Sequence, residues 1–131
     1  MARPTDRQIE ALTNMGIEPP PTKAVCFALL SYIQRGVARI GDQSGERIAI
    51  IKAAQQKYTN REIVHVGHGT KGRVLYIQCR GVGGRVNMRS STTHRFSHPL
   101  DVWVEWEDGT RSTTSVGSIR LASEPVETLI P

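Results

Sequence analysis

The chain has 131 residues, 38% of them hydrophobic, with a formal net charge of +5 at pH 7. That length suits one ordinary domain or two very small ones, and the composition is that of a folded protein with a long polar loop, not a disordered chain. No apolar run reaches the ~20 residues needed to span a bilayer, and the opening Met1-Ala2-Arg3-Pro4-Thr5-Asp6 lacks the apolar stretch of a secretory signal, so a cytoplasmic setting without a membrane partner is expected.

Residues 1–60 read as a helical region. Thr5 and Gln8 form a capping-box pattern, Ile9, Leu12 and Met15 recur at helical spacing, and Gly16 with Ile17 supplies the stop. Three turns are too few to be stable alone in water, so this helix must pack on something. Pro19-Pro20-Pro21 forms an extended connector. Thr22 then caps a second helix from Lys23 to about Arg35, ended or kinked by Gly36. Its close-packing side is expected at Ala24, Phe27, Ala28, Leu30 and Ser31, with Val25, Leu29 and Ile33 extending the apolar surface. A turn at Gly41-Asp42-Gln43-Ser44, with Ser44 or Asp42 as cap, opens a third helix from Gly45 to about Lys57. Arg47, Lys52, Gln55, Gln56 and Lys57 are expected on its outward face.

After Asn60 the period changes from helical to alternating. Glu62 to Val66 and Arg73 to Cys79 read as strands joined by a turn containing Gly67, Gly69 and Gly72. Asp101 to Trp106 is the clearest strand, with Val102, Val104 and Trp106 on one side and Trp103 and Glu105 on the other. Glu107-Asp108-Gly109 makes a hairpin turn. Thr110 to Ser115 returns as its partner, and a short turn and strand run from Val116 to Leu121; residues 123–131 form a tail without periodicity. Cys26 and Cys79 sit inside apolar segments without a pairing pattern, as reduced, buried small hydrophobes do.

Charge is distributed unevenly. From Ile63 to Leu100, 38 consecutive residues contain no carboxylate, while the same interval holds Lys71, Arg73, Arg80, Arg85, Arg89, Arg95 and all four histidines. A segment of one sign creates a local positive potential that attracts a polyanion. Four of those six Lys and Arg residues fall in a Gly/Ser/Thr-rich stretch at 80–99, a length of loop that is commonly functional or disordered.

The order strand, glycine-rich turn, strand, long loop, strand, Asp-Gly hairpin, strand and short helical turn resembles the small barrels of the KOW and Tudor type. Val66-Gly67, Gly72-Arg73-Val74 and Val102 to Gly109 carry the resemblance, with Ile119 and Leu121 closing it over roughly 62–122. It implies an α+β protein, an N-terminal three-helix segment packed with a small five-stranded antiparallel β-barrel at 61–122. Proteins of that architecture bind RNA, DNA, proline-rich peptides or methylated side chains, so the fold does not choose the function. The stretch Thr5 to Ile17 with Thr22-Lys23 is similar to a helical hairpin found in bacterial and phage proteins associated with nucleic acids.

Enzymatic chemistry finds little support. His65-x-x-His68 and His94-x-x-x-His98 could chelate, but the paired cysteines of structural zinc sites are missing, so no metal or other cofactor is expected. Gly67 to Gly72 lacks the Ser/Thr and the helix of a phosphate loop. No serine sits in a nucleophile elbow, and the histidine-bearing segment holds no carboxylate to pair with. An aromatic cage for a methylated ligand would have to come from Tyr76, Phe96, Trp103 and Trp106, one Trp of which belongs to the core. What remains is binding. Arg73, Arg80, Arg85, Arg89 and Arg95, with Lys71, are placed to contact phosphates, and Tyr76 or Phe96 to stack on a base. The expected function is a non-enzymatic accessory protein that binds RNA or DNA. The alternative is a protein-docking factor, either a subunit of a larger nucleic-acid-processing protein or a phage-type inhibitor of one.

Overall fold

The computed structural model describes residues 2–37, 42–79 and 100–123. The described residues run through three helices, α1 (Asp6–Asn14), α2 (Lys23–Arg35) and α3 (Ser44–Tyr58), then five strands. These are β1 (Glu62–His65), β2 (Lys71–Cys79), β3 (Leu100–Trp106), β4 (Arg111–Ser115) and β5 (Ile119–Leu121), with a 3-10 turn at Val116–Ser118 before the last. The protein is therefore α+β, with helices first and an antiparallel sheet after them.

Both ends of α1 form as their residues dictate. The Thr5 hydroxyl accepts from the Gln8 amide at 3.1 Å, and the Gln8 side chain accepts from the Thr5 amide at 3.0 Å. At the other end Gly16 takes φ +82°, which lets Ile17 N–H reach the Leu12 carbonyl at 2.9 Å and brings two buried side chains together. In α2 the inward stripe is Cys26, Leu29 and Ile33, spaced three and four apart, with Ala28 beside it. This corrects the expected packing side: Ala24 and Phe27 face solvent, and Phe27 is 61% exposed. α3 begins at Ser44 with Gln43 at its cap position. Asp42 caps from one residue further back, its carboxylate accepting from both the amide and the hydroxyl of Ser44.

Two residues expected on the outward face of α3 instead tie the helices together. Arg47 crosses Gly36, donates to the Tyr32 carbonyl at 2.7 Å and lies over the Tyr32 ring at 4.7 Å. It thus fills an otherwise orphan carbonyl at the C-terminal end of α2, where the helix dipole favours a cation. Gln55 donates to and accepts from the backbone of Glu18, pinning the connector between α1 and α2.

The strand order is β4-β3-β2-β1-β5, antiparallel throughout. The expected barrel does not close. α2 and α3 pack on β2, and their side chains fill the space that a closed sheet would fill with its own. Leu12, Leu29, Ile33, Ile51 and Tyr58 join Ile63, Val74, Ile77, Val102 and Val104 in a single buried cluster, so helices and sheet share one core. Among the described residues no polar or charged side chain is buried. Cys26 and Cys79 are both buried and unpaired, and among the described residues no helix is long and apolar enough to cross a membrane.

Candidate nucleic-acid interface

The helices cover one face of the sheet and leave the other open. Register fixes which side chains share that open face, because directly opposed residues in an antiparallel pair point the same way. Arg73 opposes Glu105, Tyr76 opposes Trp103, and Gln78 opposes Asp101. Across the next ladder Trp103 opposes Thr113 and Glu105 opposes Arg111. Lys71 lies two residues before Arg73 on the same side.

A bulge puts Tyr76 there. Val74 is fully buried, so strict alternation would send Tyr76 into the core as well. The register of β2 against β3 slips between Val74 and Tyr76, leaving Leu75 as the extra residue. Tyr76 is thereby turned onto the open face, while Ile77 and Cys79 become the buried positions. The Tyr76 and Trp103 rings lie 6.1 Å apart between centroids with planes at 39°. Both are half-buried. Trp103 is held by its indole N–H, which donates to the Gln78 carboxamide oxygen at 2.7 Å. Burial raises the Tyr76 phenol above its ordinary pKa, and the nearby Arg111 guanidinium opposes that rise. Arg111 also sits 3.8 Å from the Glu105 carboxylate, with its side chain 62% exposed. An exposed pair of this kind contributes at most about 1 kcal/mol, so Arg111 is readily released to another anion.

The structure thus brings three of the expected site residues, Lys71, Arg73 and Tyr76, onto one surface. It adds three that the expectation lacked: Trp103, Gln78 and Arg111. Arg80, Arg85, Arg89 and Arg95 lie outside the described residues. Their segment leaves the sheet at Cys79 and rejoins it at Leu100, which pair with one another one step beyond Gln78 and Asp101.

A second cluster of rings lies on the helix-side face, at the end the helices do not reach. His65 and His68 stack in parallel at 3.8 Å, and Trp106 lies 6.4 Å from His65. With Thr70, Thr110, Ser112 and Thr114 they line a shallow recess of about 440 Å³. The polar atoms here mostly serve the turn itself. His65 Nδ1 accepts from the amides of Gly67 and His68, His68 Nδ1 bonds the Thr70 hydroxyl, and the Trp106 indole donates to Ser112. A ligated metal lies near the plane of each imidazole, and two parallel planes stacked this closely do not meet at one ion. Among the described residues no three His, Cys, Asp or Glu side chains gather to hold a metal.

Comparison with protein-family models, curated proteins and solved structures finds no match to this chain.

Proposed function

We propose that this protein is a non-enzymatic, cytoplasmic accessory protein that binds nucleic acid on the open face of its sheet. The observation that carries this reading is the Tyr76–Trp103 pair, two half-exposed rings on a surface that also presents Lys71, Arg73 and Arg111. Aromatic faces take bases, and forked guanidinium groups take phosphates.

A second reading, a protein-docking factor, draws on a different surface. Phe27 on α2 is 61% exposed beside the half-buried Leu30, within an apolar recess bordered by Gln8 and Gln34. The two readings separate when the isolated protein is offered nucleic acid.

The test is fluorescence anisotropy with labelled oligonucleotides over a salt series. Direct binding gives an affinity that falls with salt by a slope of about −0.7 to −0.9 per phosphate contact. The Arg73→Ala/Arg111→Ala and Arg85→Ala/Arg89→Ala/Arg95→Ala variants each flatten that slope. Absence of binding at low salt would overturn the proposal and leave the docking reading.

A further inference from the structure

We infer that the open face recognises single-stranded nucleic acid, seating two bases against Tyr76 and Trp103, and that a duplex is excluded from it; this rests on the nucleic-acid reading above.

Charge supplies the first reason. The register places four cations on this face, Lys71, Arg73, Arg111 and Arg120, together with three carboxylates, Glu62, Asp101 and Glu105. Four minus three leaves one net positive charge over these paired strand positions, and Glu107, whose amide donates to the Lys71 carbonyl at the end of the ladder, adds a further carboxylate beside them. Duplex binding without base contacts draws its affinity from phosphates and the counterions they release. A surface of near-balanced charge provides little of that.

The rings supply the second. A base can lie on Tyr76 or Trp103 only if its own flat face is free, and in a duplex those faces are already stacked on neighbouring pairs. Single strands bring them unpaired. The Gln78 carboxamide fixes the Trp103 indole by its N–H edge, which reduces the side-chain freedom lost when a base arrives.

The third reason is the local chemistry. Thr113, directly across β4 from Trp103, offers a hydroxyl on the same face. The Glu105–Arg111 pair is exposed, so Arg111 can exchange its carboxylate partner for a phosphate without exposing a buried charge. Alternating cations and carboxylates around a stacking surface suit a flexible strand, whose phosphates can follow the cations and avoid the acids. A rigid duplex backbone cannot do so.

The experiment uses the full chain carrying Trp106→Phe, so that all indole emission comes from Trp103. Oligothymidylate, oligouridylate and a blunt DNA duplex of equal length are titrated separately, following Trp103 emission and the anisotropy of an end label. The expected result is quenching of Trp103 by the single strands, with affinity at least about 10-fold above that for the duplex. Trp103→Ala should lose about 5- to 150-fold in single-strand affinity, the range that one stacked base contributes. Trp103→Phe, which keeps the ring face and loses only the bond to Gln78, should retain most of it. Duplex binding of equal strength that is indifferent to Trp103→Ala would overturn the single-strand inference and leave the nucleic-acid reading standing. Binding of neither probe would overturn both. Single-strand binding without change in Trp103 emission would remove the two-base platform.

Discussion

On the helix-covered face of the sheet, Val74, Ile77, Cys79, Leu100, Val102 and Val104 are buried in the core that helices and sheet share. On the open face the same two strands present Tyr76, Trp103, Gln78, Arg73 and Glu105. The first set is explained by folding alone: apolar area removed from water, at roughly 25 cal/mol per Å². The second set is not. Two large rings left half-exposed forgo part of the stabilisation that burial would give them, and one is held in place by a dedicated hydrogen bond. The bulge that turns Tyr76 outward disrupts the ladder locally, and it is also what puts Ile77 and Cys79 into the core. One face thus serves stability, and on the function proposed above the other serves contact.

Substitutions on the two faces should therefore separate stability from binding. The largest stability effect is expected for Ile77→Ala, which opens a cavity beneath the helices and costs roughly 2–5 kcal/mol. The urea midpoint should fall, while the folded fraction binds oligonucleotide as before. A smaller loss, about 1–3 kcal/mol, is expected for Gly72→Ala. A methyl group there would stand 2.5 Å from a Val104 methyl and 2.9 Å from both the Glu105 carbonyl and the Trp106 ring. Chemical denaturation checks the loss, and a shift in Trp106 emission locates it. If Ile77→Ala abolished binding by molecules that remain folded, the division between the faces would fail.

A further effect concerns pH. Burial pushes the Cys79 thiol up from its ordinary 9.0 to about 12, and burial also raises Cys26 and Tyr32. The folded state therefore holds these protons more tightly than the unfolded chain. Their contribution to stability is complete below pH 9 and is lost as pH rises toward 12. Thermal unfolding followed across that interval should show a falling midpoint, and a thiol reagent at pH 8 should label Cys79 only after unfolding.

Much of this fold is legible in the residues. The capping box at Thr5 and Gln8, the Gly16 stop and the alternation through Val102-Trp103-Val104 each act locally, and each forms as its chemistry requires. What could not be read depends on contacts distant in sequence. Arg47 and Gln55 look like surface residues on their own helix, and only the approach of Gly36 and Glu18 makes them ties. Phe27 looks like core until Cys26, Leu29 and Ile33 are seen to set the inward stripe. The open sheet follows from the helices occupying the space a barrel would have filled. At the candidate site the sequence gives Lys71, Arg73 and Tyr76 as residue types. The bulge after Val74, which decides where Tyr76 points, leaves no mark in composition. Trp103 was visible as an outward residue; its pairing with Tyr76 needed the register.

The two tryptophans lie on opposite faces of β3, and each has one indole N–H. A titration of the ¹⁵N-labelled chain with oligothymidylate, with the two indole resonances assigned by Trp106→Phe, reads both faces in one experiment. The account predicts that the Trp103 indole signal shifts progressively while the Trp106 signal stays in place. Movement of Trp106 with Trp103 unmoved, or of neither while the oligonucleotide binds, would contradict it.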